Sequence, residues 1–475
     1  MNAGEWGGPV GDPHAPRHRI RPPANWINDP NGPFRWRGRY HVFYQHNPDS
    51  PTHANVHWGH VSSPDLAHWT HHPVALTPTP GGPDEAGCWS GCVVDDDGVP
   101  TAVYTGIDRH HTGLGTICLA QAAPDDDELT RWTPLPAPVV SGPPEGLGVT
   151  MFRDPFVFRH EGRRWALVGA GHADGTPSVL LYDCEDLTSW RFTGVFLDGH
   201  DPVAAEAFGD EAVGWECPQL VETPDGDWVL LLSLWSGDPM STGYLAGRLA
   251  ADGEGGLRFR ARAGARLDHG RDFYAPAVLQ DREAGRALVW GWAWEARGQR
   301  EAEAAGWSGV LTAPRVLDTR PDGSLRVAPA PELELLRRRR LSPGSNGTRR
   351  PLPHAYEVEI AARARTTVTL WRSASGAEVT VCLDPAAGTV ALDRSAWPRE
   401  RADGASGPLT LTAGRPGRDH VCARILVDGS LLELFAGDRA VATERIYQRA
   451  DDVRELAVHG DGAEVTLWEI GDGAH

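Results

Sequence analysis

Residues Phe152–Ala170 read FRDPFVFRHEGRRWALVGA: a short apolar run, a polar turn containing Gly162 and a second apolar run, the pattern of a β-hairpin. The pattern recurs along the chain. β-Prone runs begin at Tyr40 (YHVFYQ), Thr101 (TAVYTG), Trp165 (WALVGA), Trp228 (WVLLLSLW) and Ala287 (ALVWGWAW), spaced 61, 64, 63 and 59 residues apart. FRWRGR, CVVDDDGVP and QLVETPDGD supply the preceding half-hairpin in three further units, and AVLQDREAGR does so more loosely in the last. No long 3.6-residue periodicity lies between the units, and 55 Gly and 39 Pro punctuate the chain. Five all-β units of this length predict a five-bladed β-propeller over residues 25–327.

Beyond Pro351 the chain alternates in short strands (YEVEIAARA, TVTLWR, EVTVCLD, HVCARILVD, LLELFAG, EVTLWEI) separated by Gly-Asp turns, which predicts a β-sandwich over residues 351–475. Of 19 tryptophans, 16 lie at or before Trp307, marking the same division. Residues 328–350 read as a linker with one short helix, Ala328–Leu341 (APAPELELLRRRRL), whose four arginines form a solvated face near its C-terminus. Residues 1–24 are an N-terminal extension. The fold class is all-β.

Composition excludes several functions. Forty-five Lys+Arg against 64 Asp+Glu give a net charge of −19, which repels nucleic-acid backbones and anionic membrane surfaces. The first 25 residues hold no apolar run from which a signal peptide or membrane span could be built, so a cytoplasmic location is expected. The seven cysteines are an odd, scattered set, expected to be thiols in a reducing compartment; Cys88 and Cys92 read as buried structural thiols rather than ligands or a bridge. Homo-oligomerisation is left open.

If the five runs are equivalent strands, residues at equal offsets before them occupy equivalent places in successive blades. Asp29, Ser90 and Asp154 precede their runs by 11 residues, Glu216 by 12 and Tyr274 by 13. The strand nearest a propeller's axis starts each blade, so three acids from distant parts of the chain would meet in one funnel. Two-carboxylate sugar chemistry needs that arrangement, with the third acid left for binding. Taken singly, WINDPNG (Trp26–Gly32) reads as a turn, FRDP as a surface Arg-Asp pair and WECP (Trp215–Pro218) as a strand edge. Their shared phase weakens all three of those readings together.

At these motifs the chain resembles family 32 of the glycoside hydrolases, the invertase, inulinase, levanase and sucrose-6-phosphate hydrolase group. The resemblance extends to YHVFYQHNP (Tyr40–Pro48), WGH (Trp58–His60), DLAHW (Asp65–Trp69), WSG (Trp89–Gly91), DFYA (Asp272–Ala275), GWSGVLTAPR (Gly306–Arg315) and LLELF (Leu431–Phe435). It implies a five-bladed propeller plus β-sandwich and a retaining β-fructofuranosidase acting on sucrose and short fructo-oligosaccharides. It further implies Asp29 as nucleophile, Asp154 as transition-state stabiliser and Glu216 as general acid/base. The Glu216 pKa is expected to be raised by neighbouring acids or by a desolvating wall such as Trp215, and Arg153 to help keep Asp154 ionised. Asn28, Gln45, His53, Trp89, Ser90, Arg153 and Tyr274 are implied in substrate binding. No metal or cofactor is called for.

Two departures stand out. In PTHANVHWGH, from Pro51, His53 replaces a tryptophan common in the family, a form resembling bacterial intracellular sucrases. Gln219 in ECPQL replaces a frequent aspartate, which puts leaving-group contacts in question. His53, His57 and His60 have metal-like spacing, but carboxylate hydrolysis needs no metal and sugar hydroxyls suit these donors. Trp26, Trp36, Trp290, Trp292 and Trp294 are either sugar platforms or blade packing. The rival readings are a fructosyltransferase or fructanase on the same site, an inverting arabinosidase or xylosidase, and a non-catalytic carbohydrate-binding protein.

Overall fold

The structure, a computed structural model, describes residues 12–109, 113–253, 255–397, 407–417 and 419–471. The chain folds as all-β, a propeller followed by a β-sandwich. Among the described residues the propeller has five sheets of four or five strands. Their inner strands are Asn25–Trp36, Gly87–Asp96, Val149–His160, Gly214–Glu222 and Tyr274–Asp281. Each inner strand packs on the next, and the fifth returns to the first. Trp307–Ser308, from the end of the propeller, pairs in parallel with Asn25–Trp26 and seals the ring.

The hairpins read from sequence form as expected. Trp165–Gly171 pairs antiparallel with the inner strand 149–160, and Trp228–Trp235 with 214–222. Alternating residues fill the spaces between sheets. Trp58, Trp165, Trp215, Trp290 and Trp307 are fully buried there, so much of the tryptophan load is packing. Trp290 meets Trp69 edge-on in that core, and Trp36 stacks on Phe34 in the hairpin of the first sheet; neither is a sugar platform.

The first sheet also buries a ladder of histidines. His60 stacks between Phe43 and His72, with centroids 4.3 and 4.4 Å away, and shares a 3.0 Å hydrogen bond with His41. Burial, with the charges of His72 and Arg39, pushes the His41 pKa down to about 3, and His60 falls well below its ordinary value for the same first cause. Between those values and 6.5 the unfolded chain binds more protons than the folded one. Stability therefore falls as pH drops through this window, by about 2 kcal/mol per buried neutral histidine at pH 5. The melting midpoint is expected to fall from pH 7 to pH 5, and to fall less in His41→Phe; equal falls in the two proteins would remove the ladder as the cause.

Among the described residues the sandwich consists of two six-stranded sheets. The linker differs from its sequence reading. Pro331–Leu336 is a short 3₁₀ helix anchored by buried Leu333 and Leu336, and Arg337–Leu341 is an edge strand paired with Ala463–Ile470. The arginines therefore line a sheet edge and not a helix end. Arg337 turns inward to Glu357 and Glu359 at 2.7 and 2.6 Å, and Arg339 pairs with Glu469. Charge on an edge strand discourages pairing with another chain.

Residues 12–24 strap the two domains together. The Asp428 carboxylate of the sandwich accepts from the Arg17 and His18 N–H groups, and Arg19 pairs with buried Glu433. On the propeller side, the Leu311 N–H donates to the Ile20 carbonyl and the Trp307 indole to Asp12.

Candidate active site

All five inner strands carry a β-bulge at the same height. Asn28 and Asp29 face Gln45 alone, Ser90 is inserted between the Trp89–Thr105 and Gly91–Tyr104 pairs, and Asp154 and Pro155 face Val168. Cys217 and Pro218 face Leu232, while Ala275 and Pro276 face Gly291. Proline cannot donate to the ladder, so each Pro-containing bulge stands where pairing must break. Asp154, Cys217 and Ala275 take φ of +64°, +46° and +46°, costly for non-glycine residues and more so before proline. The strain holds because neighbouring sheets fix the backbone. Gly169 allows one such approach, since a Cβ there would lie 2.4 Å from the Trp215 carbonyl oxygen.

The bulges turn Asp29, Ser90, Asp154, Glu216 and Tyr274 into one funnel. Asp29 accepts from Ser90 Oγ at 2.6 Å, Asn28 Nδ2 at 3.1 Å and Gln45 Nε2 at 3.2 Å. Gln45 also donates to Ser90, and the Trp26 indole to Asn28. Asp154 accepts from the Cys217 N–H at 3.0 Å, and its own N–H donates to Thr105. The Cys217 thiol lies 3.6 Å from Asp29 Oδ2 and 3.5 Å from Asp154 Oδ2, bridging the two acids.

Glu216 stands in a different setting. Arg153 donates to Oε1 at 2.8 and 2.9 Å, and the Tyr274 hydroxyl lies 2.6 Å from Oε2. The Arg153 guanidinium is held between the Trp89 and Trp235 rings. One expectation is corrected here. Trp215 does not wall Glu216, because adjacent strand residues point to opposite faces and its ring packs in the core against Phe208. Arg153 hydrogen-bonds Glu216, and its charge also acts through space to lower the Asp154 pKa, in the direction expected of it.

Burial, opposed by the Ser90 hydrogen bond and reinforced by the Glu216 charge, pushes Asp29 up to about 6. Asp154 is raised first by burial, then by Glu216, against the pull of Arg153. Asp29 and Asp154 thus keep their protons to higher pH than exposed carboxyls would.

His53 is at the mouth, edge-on to Trp26 and Trp89 with centroids 5.8 and 5.6 Å away. His57 bonds the Asn55 carbonyl and His60 belongs to the buried ladder, so the three metal-spaced histidines do not converge. Gln219 turns away from the funnel, accepting from the Val278 N–H, and lines a cavity of about 300 Å³ at the other end of the ring. Trp294 supports the site from behind, stacked on Tyr274, and Trp292 lies between Trp294 and Trp26. Sequence reasoning missed Thr105 and Trp235 and took no account of Cys217 as a site residue, although Cys217 adjoins Glu216 at the shared phase.

The model of the Glycosyl hydrolases family 32 N-terminal domain matches residues 19–329, and that of the family 32 C terminal matches 337–470. The chain belongs to glycoside hydrolase family 32. It is similar to the raffinose invertase of Escherichia coli, 33% identical over 96% of this chain and 95% of that one. A sucrose-6-phosphate hydrolase of Escherichia coli is also 33% identical, with 97% and 96% covered. Among solved structures, the family 32 beta-fructofuranosidase of Bombyx mori superposes with a TM-score of 0.79 at 27% identity, covering 96% of this chain and 94% of that one. A mutant of the Bombyx mori protein is solved in complex with sucrose. In the present family 32 chain all ten residues expected from sequence are in or at the rim of one funnel, and Asp29 and Glu216 differ sharply in their partners.

Proposed function

We propose that this chain is a retaining β-fructofuranosidase that hydrolyses sucrose and short fructo-oligosaccharides through a fructosyl-enzyme intermediate on Asp29. The observation carrying this reading is the contrast between two carboxylates: Asp29 held by neutral donors, Glu216 clamped by a guanidinium and a phenol. The contrast sets the two carboxylates in separate environments, and the family resemblance assigns the nucleophile to Asp29 and the acid/base to Glu216.

The Asp29 carboxylate attacks the anomeric carbon as Glu216 gives its proton to the departing oxygen. Glu216 then takes a proton from water, which attacks the same carbon and releases Asp29, so two inversions give net retention. Tyr274 serves both protonation states of Glu216. Its hydroxyl has one hydrogen and two neighbours, Glu216 Oε2 at 2.6 Å and the Leu234 carbonyl at 3.0 Å. With Glu216 protonated, the phenol donates to Leu234 and leaves the acid proton for the departing oxygen; with Glu216 ionised, the phenol turns to the carboxylate. Asp154 is placed to bind sugar hydroxyls, with hydrogen bonds that strengthen as the ring flattens toward the transition state.

The names of the invertase, the sucrose-6-phosphate hydrolase and the fructofuranosidase crystallised with sucrose support the substrate class. Seven free thiols support a reducing, cytoplasmic setting. A panel of sucrose, sucrose-6-phosphate, 1-kestose, inulin and levan tests the reading. Sucrose is expected to be cleaved at least as fast as the polymers with β-fructose released first. Polymer-only cleavage, first-formed α-fructose or a dominant trisaccharide product would each overturn it.

A further inference from the structure

The sandwich strand Ala440–Arg445 is the last strand of its sheet, yet its outer backbone groups are not left to solvent. Propeller residues 268–272 meet them. The Thr443 N–H donates to Asp268 Oδ1 at 2.9 Å and the Arg445 N–H to Asp272 Oδ2 at 2.7 Å. In return the His269 N–H donates to the Val441 carbonyl at 2.8 Å and the Asp272 N–H to that of Thr443 at 3.3 Å. Gly270 makes the approach possible, since a Cβ there would lie 2.0 Å from the Thr443 carbonyl oxygen. Residues 268–272 thus act as a further strand on the sandwich.

The same segment runs straight into Phe273 and Tyr274. Asp272 Oδ1 accepts from the Trp294 indole at 2.9 Å, and that ring stacks on Tyr274 at 5.9 Å and 24°. The fully buried Arg445 guanidinium donates to the Ala293 and Trp294 carbonyls at 3.2 and 3.3 Å. One carboxylate therefore ties the sandwich edge to the ring behind Tyr274, whose hydroxyl touches Glu216.

We propose that Asp272 is a positioning residue through which the sandwich domain sets Tyr274 against Glu216. The inference rests on Glu216 being the acid/base. An error on the scale of an ångström in that contact is enough to slow a proton transfer severely. The groups facing Glu216 are Arg153 and Tyr274 in direct contact, with Asp29, Asp154, Cys217 and His53 acting through space.

The test uses Asp272→Asn, Trp294→Phe and the double variant in the full chain, with sucrose hydrolysis followed from pH 4 to 9 beside the melting midpoint. One amide oxygen cannot accept from both Arg445 and Trp294, so D272N breaks the tie at nearly constant volume. W294F keeps an aromatic ring beside Tyr274, removes the donor together with part of the indole, and carries the test if D272N does not fold. Each single variant is expected to lose roughly tenfold in kcat, with KM within about twofold and the basic limb of kcat/KM moved by about half a pH unit or more. The double variant should be no slower than the slower single. An unchanged kcat and basic limb with only a lower melting midpoint, or multiplicative losses in the double variant, would overturn the proposal. Glu216→Gln separates the two ideas: if it keeps wild-type turnover, the acid/base reading fails and not the positioning alone.

Discussion

Asparagine in place of Asp29 is expected to lower kcat on sucrose by on the order of 10⁴- to 10⁶-fold, the scale on which losing a covalent nucleophile is felt, with KM little changed. The variant should fold, because its amide oxygen still accepts from Ser90 and Gln45 and the bulge around it belongs to the strand. The wild-type pH profile gives a second check. With Asp29 at about 6, the free enzyme must lose a proton there before it can attack, so kcat/KM falls about tenfold per unit below pH 6. Stopped assays across pH 4 to 8 read both effects. Turnover by Asp29→Asn within tenfold of wild type would sink the nucleophile assignment.

Glutamine in place of Glu216 is expected to cost 10²- to 10⁴-fold in kcat on sucrose, the usual range for a general acid/base. The amide can reproduce the native contacts, its oxygen accepting from Arg153 and its N–H donating to Tyr274 while the phenol donates to Leu234. Neither the melting midpoint nor KM should then move much. The diagnostic feature is dependence on the leaving group. A fructoside with a 4-nitrophenyl leaving group needs no proton for departure, so its first step should be nearly spared and the loss confined to hydrolysis of the intermediate. A burst of nitrophenol followed by slow turnover is the expected record. An equal loss on both substrates without a burst would contradict the role.

The propeller and its acids were legible because the repeat fixes phase. A sixty-residue period carries Asp29, Asp154 and Glu216 to one height whatever the loops do, and the prolines after Asp29, Asp154, Cys217 and Tyr274's neighbour Ala275 mark where pairing breaks. What sequence did not disclose depends on partners remote along the chain. The arginine run looks alike on a helix end or a sheet edge until its partner strand 463–470 is known. The Arg445 to Asp272 hydrogen bond spans 173 residues and has no local signature. The misplaced Trp215 was a different kind of error, since strand alternation alone sets neighbouring side chains on opposite faces. Arg153 acts as expected on the acid beside it, but the carboxylate it hydrogen-bonds comes from the next sheet and could not be read locally.

The bulge repeated in every inner strand also bears on how such a scaffold diversifies. The kink is a property of each strand's backbone, so the ring is a mount with five sockets, two now fitted with a serine and a tyrosine and three with acids or their immediate neighbours. Exchanging the fitting in one socket leaves the other four aimed as before, and a new reaction can be assembled one side chain at a time without relaying any sheet.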